Sequence, residues 1–332
     1  MKNDIGIVGI GLNLPGGCRT LNDVYDTLQH KKCHIKRLTH ELNNFDSSLL
    51  INDVNLTLSS IDKEFNEDLH GLRINPKESL MMDVQQKLLL QCVNQAILDA
   101  GENIEALSES DTAVIVGCGE YDFREQLVCD VKNATPYSIT GSFSTFLANK
   151  ISYYLNLSGP SFVVDSACSS SLVALVNAIN LIDSGQCEAA LVCGVNAVTN
   201  AFNMIAYHNA GLLSPDGNSR PFMRNSNGFI RAEGCIALYI KKIDIKDSQN
   251  KKIYAFVKGG AINHGGKSSS MIAPSKIRQV QLMKKAILHS DITVDDIDYF
   301  EMHCTGTTKG DKTEMDAICE LRLIHNSRFG NI

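Results

Sequence analysis

A cysteine with small neighbours sits near the middle of the chain, in Gly159-Pro160-Ser161-Phe162-Val163-Val164-Asp165-Ser166-Ala167-Cys168-Ser169-Ser170-Ser171-Leu172. Phe162 to Val164 is a short apolar run of buried-strand type, and Leu172-Val173-Ala174-Leu175-Val176 opens a helical pattern. Cys168 therefore falls where a strand turns into a helix. There it faces the helix's unpaired N–H groups and the positive end of its dipole. Both favour the thiolate, which is the nucleophilic form. Ala167, Ser169 and Ser170 leave room for a substrate to approach. A buried structural thiol is the commoner fate of a free cysteine. The position at the elbow is what argues for a nucleophile.

His303 is the second candidate. It follows the apolar stretch Ile297 to Met302 and opens His303-Cys304-Thr305-Gly306-Thr307-Thr308-Lys309-Gly310-Asp311. A histidine at a strand end, in a Gly/Thr-rich loop ahead of a helix, is placed to act at the carboxyl edge of a sheet. The structural alternative is a hydrogen-bonded loop histidine. The other eight histidines, His208 and His264 among them, have no comparable setting.

Two glycine-rich stretches carry weaker signals. Ala261-Ile262-Asn263-His264-Gly265-Gly266-Lys267-Ser268 meets a loose phosphate-loop pattern, with alanine in place of the first glycine. Such a loop must pass straight into a helix N-terminus, and Ser268-Ser269-Ser270 with Pro274 interrupts any helix there. Gly9-Ile10-Gly11 would need a third glycine where Leu14 stands to bind a dinucleotide. It reads as a structural glycine-rich turn.

The elements that must position these residues alternate. Strands are expected at Asp4 to Ile10, Thr112 to Val116, Phe162 to Val164, Ala189 to Val195, Cys235 to Ile240, Ile253 to Lys258 and Ile297 to Met302. Helices are expected at Leu21 to Gln29, Ser79 to Ala100, Thr145 to Tyr154, from the elbow to about Asp183, Ile277 to His289 and Asp311 to Ile324. Residues 31 to 72 are polar and irregular, a surface excursion or a poorly ordered segment. Alternation implies an α/β fold with layered sheets, and the restart near residue 253 implies a second half resembling the first.

With 332 residues, 44% hydrophobic and 20% charged, the composition is that of a globular protein. A net charge of -6 and the lack of a Lys/Arg block argue against a nucleic-acid surface. No apolar run reads as a signal peptide or a membrane span. The 11 cysteines contain no C-x-x-C pair, and Cys92, Cys118, Cys193 and Cys235 lie inside apolar segments. That pattern belongs to reduced thiols in a cytoplasmic protein and argues against zinc.

Taken together, Cys168 and His303 resemble the β-ketoacyl synthase domain of polyketide synthases and type I fatty-acid synthases. Asp165-Ser166-Ala167-Cys168-Ser169-Ser170-Ser171-Leu172 is similar to the family's D-T-A-C-S-S-S-L. His303-Cys304-Thr305-Gly306-Thr307 with Gly310-Asp311 and Glu314 is similar to H-G-T-G-T-x-x-G-D-x-x-E. Met82-Asp83-Val84-Gln85-Gln86-Lys87-Leu88 (with Val84 where proline is usual), Leu213-Ser214-Pro215-Asp216-Gly217 and Phe229-Ile230-Arg231-Ala232-Glu233-Gly234 resemble further motifs of the family in order. Asn263, Gly266, Ala273 and Pro274 place the rejected phosphate loop in the family's N-x-D-G-x-x-x-G-x-x-A-P segment.

The resemblance implies a thiolase-like layered α/β/α/β/α fold of two similar halves. Residues 1–252 would be the N-terminal half carrying the nucleophile, and residues 253–332 the start of a truncated C-terminal half. It implies a homodimer, an acyl carrier protein as partner, and acyl and malonyl thioesters as substrates. No cofactor would be bound directly, since the phosphopantetheine rides on the carrier. Cys168 and His303 would be catalytic in acyl transfer and decarboxylative condensation. The family's second histidine and a lysine beyond it are not among these residues, and Cys304 stands where the family has glycine. The expectation is a condensation step impaired in this chain, the alternative being an inactive remnant that binds a carrier or forms a dimer scaffold.

Overall fold

The computed structural model of the protein describes residues 4–37, 56–64, 74–129, 131–244 and 252–329. Two units share the chain. The first comprises Met1–Asn52, Leu58–Ala201 and Ala232–Val257; the second comprises Asp53–Thr57, Phe202–Arg231 and Lys258–Ile332.

The first unit is built on one mixed sheet of β1 (Asp4–Asn13), β2 (Ala113–Gly117), β3 (Ser161–Val164), β4 (Ala189–Asn196), β5 (Gly234–Ile243) and β6 (Ala255–Val257). The strand order is β3-β2-β4-β5-β1-β6. β2 runs parallel to both neighbours, with Ile115 opposite Phe162 on one side and Val192 on the other. β4 with β5, β5 with β1, and β1 with β6 are antiparallel. All five residues of β2 are buried. A strand covered on both faces reads as a continuous apolar run, which is why Ala113-Val114-Ile115-Val116 shows no alternation.

The longer helices of this unit include α1 (Leu21–Gln29), α2 (Val84–Asp99), α3 (Thr145–Tyr154) and α4 (Ser170–Asp183). On one face, Leu89, Val93 and Ile97 of α2 and Leu147 and Ile151 of α3 join Val114, Val116, Leu191 and Ala237 in a single core. On the other, Ala174, Ala178, Ile179 and Ile182 of α4 meet Ile115, Ala190, Val192 and Ile240. Ten of the 16 residues of α2 are buried, so its apolar stripe is wider than a simple amphipathic helix needs.

Gly9 and Gly11 lie inside β1, not in a turn beyond it. A Cβ on Gly9 would sit 2.0 Å from the Ala96 carbonyl oxygen, and one on Gly11 would sit 1.9 Å from that of Cys92. The glycines let the backbone of α2 rest directly on the strand. The same helix supplies acceptors to that strand: Asp99 Oδ2 takes the Ile10 N–H at 2.9 Å and Gln95 Oε1 takes the Leu12 N–H at 3.0 Å.

Other boundaries differ from expectation for local reasons. The helix expected over Ser79 to Ala100 is two pieces, a single turn at Pro76–Ser79 and then α2. Asp83 makes the break, since its extended backbone and carboxylate cap α2 through the Gln85 N–H at 2.8 Å. The strand over Ile253 to Lys258 shortens to β6. Of the irregular stretch 31 to 72, residues 38–55 and 65–72 lie outside the described residues. The part around Leu58 and Ile61 is not a surface excursion, because both side chains are buried. Glu233 ties it in: its carboxylate accepts the N–H groups of Ile61 and Val198 and pairs with Lys63.

The second unit holds α5 (Phe202–Asn209), α6 (Lys276–Ser290) and α7 (Thr308–Phe329). α6 packs along α7, where Val280, Ala317 and Leu321 are buried and Lys276 pairs with Glu320 at 2.7 Å. Ile297 to Met302 is not a strand. It forms no ladder with a described strand, and a β-strand exists only through its ladder. No described helix is long and apolar enough to cross a membrane.

Candidate functional site

Cys168 lies in a one-turn 3₁₀ segment, Ala167–Ser169, between the end of β3 and the start of α4. Ala167 has φ +56°, a left-handed conformation that costs an L-residue about 1–2 kcal/mol. Asp165 Oδ1 holds it by accepting the Ala167 N–H at 3.1 Å. Ser170 Oγ accepts the Ser166 N–H at 2.9 Å and donates to the Ala167 carbonyl at 2.6 Å, and Ser169 Oγ donates to the Ser166 carbonyl at 2.9 Å. The Cys168 side chain is exposed.

Glycines at the strand ends make room for this elbow. A Cβ on Gly117, the last residue of β2, would come 2.5 Å from the backbone of Ser170 and Ser171. One on Gly194 of β4 would come 2.9 Å from the Ser171 Cβ, and one on Gly119 would come 3.2 Å from the Ala167 Cα. The first turn of α4 thus sits down onto the carboxyl ends of two strands, and the cysteine turn rides above them.

Gln85, at the start of α2, ties the neighbouring loops together. Its Oε1 accepts the Ala197 N–H at 3.2 Å and faces Cys118 Sγ at 3.6 Å, and its Nε2 donates to the Glu120 carbonyl at 3.0 Å. Asp83 beside it is 5% exposed, and burial outweighs the bonds from Gln85 to push its carboxyl up to about 6. Burial likewise pushes the thiols of Cys118 up to about 12 and Cys187 up to about 11, with Cys193 and Cys235 raised further. These four are protonated at neutral pH and enclosed. Exposure separates Cys168 from them.

His303 belongs to the second unit. Its loop is held by two carboxylates of α7. Glu314 Oε1 accepts the His303 N–H at 2.7 Å, and Oε2 accepts the Cys304 N–H at 3.2 Å. Asp311, 3% exposed, accepts the Gly306 N–H at 3.0 Å and the Phe222 N–H at 2.7 Å. The Gly306 carbonyl in turn accepts the Gly228 N–H at 2.9 Å. Asp311 and Glu314 are three apart, on one face of a helix. That spacing was visible in the sequence, but their task of clasping a backbone loop was not read from it. Cys304 has φ +51°, and Gly306 has φ +66°. The side chain in place of glycine is therefore held in a left-handed turn. Burial first, then Glu314 and Asp311, raises its thiol above the ordinary value.

The loop around Gly265 and Gly266 does not form a phosphate cradle. The Gly266 N–H points at His264 Nδ1, 2.9 Å away, Ser268 Oγ donates to the carbonyls of Ser270 and Ala273, and α6 starts only at Lys276. The open concavity of about 420 Å³ beside it is lined by Asn263, His264, Arg278, Gln281, Lys284 and Lys285. It flanks the side of α6, not its N-terminus.

A mixed sheet covered by helices, with a thiol on a strained strand-to-helix elbow, is an α/β architecture that presents a nucleophile at the carboxyl edge of its strands. Residues 2–244 match the family model of the β-ketoacyl synthase N-terminal domain, and residues 254–329 match that of its C-terminal domain. The chain belongs to the β-ketoacyl synthase family, a family of transferases, and is of the polyketide-synthase ketosynthase type. It is 33% identical over 325 residues to a highly reducing polyketide synthase of Pyrenophora dematioidea, covering 95% of this chain and 13% of that protein. With the Fusarin C synthetase of Gibberella moniliformis it shares 34% identity over 330 residues, 96% of this chain and 8% of the relative. The ketosynthase from module 6 of the bacillaene synthase of Bacillus subtilis 168 superposes with a TM-score of 0.85 at 29% identity, over 97% of this chain and 55% of that one. The chain thus spans about an eighth of the first of these curated relatives and about half of the solved ketosynthase.

Proposed function

We propose that Cys168 takes an acyl group from the phosphopantetheine thioester of an acyl carrier protein. The thiolate attacks the thioester carbonyl, the carbon–sulfur bond to the pantetheine breaks, and the pantetheine thiol leaves with a proton. A malonyl-type extender on a carrier then loses CO2, and the resulting enolate attacks the acyl-cysteine carbonyl. The Cys168 thiolate is expelled, and the product is a β-ketoacyl thioester two carbons longer. His303 supplies a hydrogen bond to the enolate oxygen, a role in which one donor is worth on the order of 100–1000-fold in rate.

The observation that carries this reading is the exposed thiol of Cys168 on a strained elbow beside the N-terminus of a 14-residue helix. Residues 1–252 form the half that carries the nucleophile, and residues 253–332 open the half that carries His303. The protein works in the cytoplasm as a homodimer, with β3 as the pairing strand. That strand has one neighbour in the sheet, and Leu172 and Tyr153 nearby are 68% and 79% exposed.

The test is intact-protein mass spectrometry after incubation with an acyl-pantetheine thioester. One acyl group should appear on the peptide bearing Cys168 and be absent from Cys168→Ala. No acylation of the folded chain, or acylation spread over other cysteines, would refute the reading.

A further inference from the structure

We propose that Ser170 is a positioning residue for Cys168: its buried hydroxyl ties the backbone on either side of the Ser166–Ala167 peptide to the first turn of α4, closing a loop around the nucleophile. This rests on the reading of Cys168 as the acyl acceptor and assigns a device that sets its position.

Ser170 is 5% exposed and uses both capacities of its hydroxyl. The oxygen accepts from Ser166 N–H at 2.9 Å and the proton goes to the Ala167 carbonyl at 2.6 Å. The Ser170 backbone N–H points at the same Ala167 carbonyl. Serines at a helix start ordinarily reach forward and cap the N–H groups of the first turn. Here neither Ser169, the residue at the capping position, nor Ser170 does so. Ser169 makes no capping bond, and its hydroxyl also turns back, to the Ser166 carbonyl. The serine run therefore serves the elbow and not the helix.

The elbow needs that service. Ala167 at φ +56° persists only if its surroundings over-determine it. The restraints are Asp165 on its N–H and Ser170 on its carbonyl. Cys168 follows immediately, so a change of Ala167 to an ordinary backbone conformation would swing the Cys168 side chain away from its present direction. Displacements of about 1 Å at a reacting atom cost roughly 100-fold in rate. Gly117 keeps that turn close, since a Cβ there would come 2.5 Å from the Ser170 backbone.

The experiment compares the wild-type chain, Ser170→Ala and Ile179→Val. Ile179 is a buried core residue of the same helix and controls for lost stability without touching the elbow. Two readouts are taken on folded protein at 25 °C: acylation of Cys168 by an acyl-pantetheine thioester, and the pH profile of Cys168 alkylation by iodoacetamide. Ser170→Ala should acylate at least ~10-fold more slowly. Its alkylation midpoint should move up by about half a pH unit or more as the thiol leaves the helix terminus. Ile179→Val should match wild type in both. Ser170→Ala within twofold of wild type in both readouts, or both variants slowed in proportion to their loss of Tm, would overturn the proposal. Wild-type protein that alkylates at Cys168 but never acylates would refute the acyl-acceptor role; the alkylation profiles would still decide whether Ser170 positions the thiol.

Discussion

Replacing Asp83 with asparagine isolates one buried carboxyl whose ionisation the fold opposes. Asp83 is 5% exposed, caps α2, and has its carboxyl pushed up to about 6 by burial. In the unfolded chain an aspartate titrates near ~3.9. A carboxyl raised on folding holds its proton where the unfolded chain has released it. The folded state is therefore favoured at low pH and loses that advantage as pH rises from about 4 through about 6. With about 1.4 kcal/mol per unit, the full loss is about 3 kcal/mol, of which about 2 kcal/mol falls between roughly pH 4.5 and 7.5. Asparagine caps a helix as well as aspartate does and has no charge to desolvate. Urea unfolding of both proteins across that pH range gives the comparison. The stability of wild type minus that of Asp83→Asn should fall by about 2 kcal/mol as pH increases. A difference that stays flat, or that rises with pH, would refute the assignment of a destabilising buried carboxylate.

Further outcomes follow from close contacts and from the loop clasp. Gly11→Ala should destabilise by more than about 4 kcal/mol or yield insoluble chain, because its Cβ would meet the Cys92 carbonyl oxygen at 1.9 Å. Gly265→Ala, with nothing within 4 Å of its Cβ, should change the urea midpoint by less than about 0.5 kcal/mol equivalent. In the His303 loop, Asp311→Asn should speed amide exchange at Gly306 and Phe222, and Glu314→Gln should do so at His303 and Cys304. Each loses one charge-assisted acceptor at a cost of about 1–3 kcal/mol. Unchanged exchange at those amides would mean that the carboxylates do not hold the loop.

The elbow around Cys168 was legible because everything that makes it is local. A short β-branched strand, a run of small residues and a helical period follow one another within a few turns of chain. α3, α4 and the buried β2 were legible for the same reason, and so was the placement of His303 ahead of a helix. The β-ketoacyl synthase family emerged from motif order, which the matches over residues 2–244 and 254–329 bear out. Distance in sequence marks the limit. The purpose of Gly9 and Gly11 depends on the backbone of α2, and the break at Asp83 depends on a carboxylate preferring to cap a helix over continuing it. Ile297 to Met302 has strand composition, but a ladder needs a neighbour that composition cannot supply. Asp311 and Glu314 were visible as letters of a motif, while their hold on the His303 loop required α7 to lie beside it. The sequence by itself singled out Cys168 and His303 as the candidate reactive residues. Tertiary structure alone decided the left-handed turn at Ala167, the backward reach of Ser170 and the glycine seats beneath α4. Those are contacts between segments that only folding brings together.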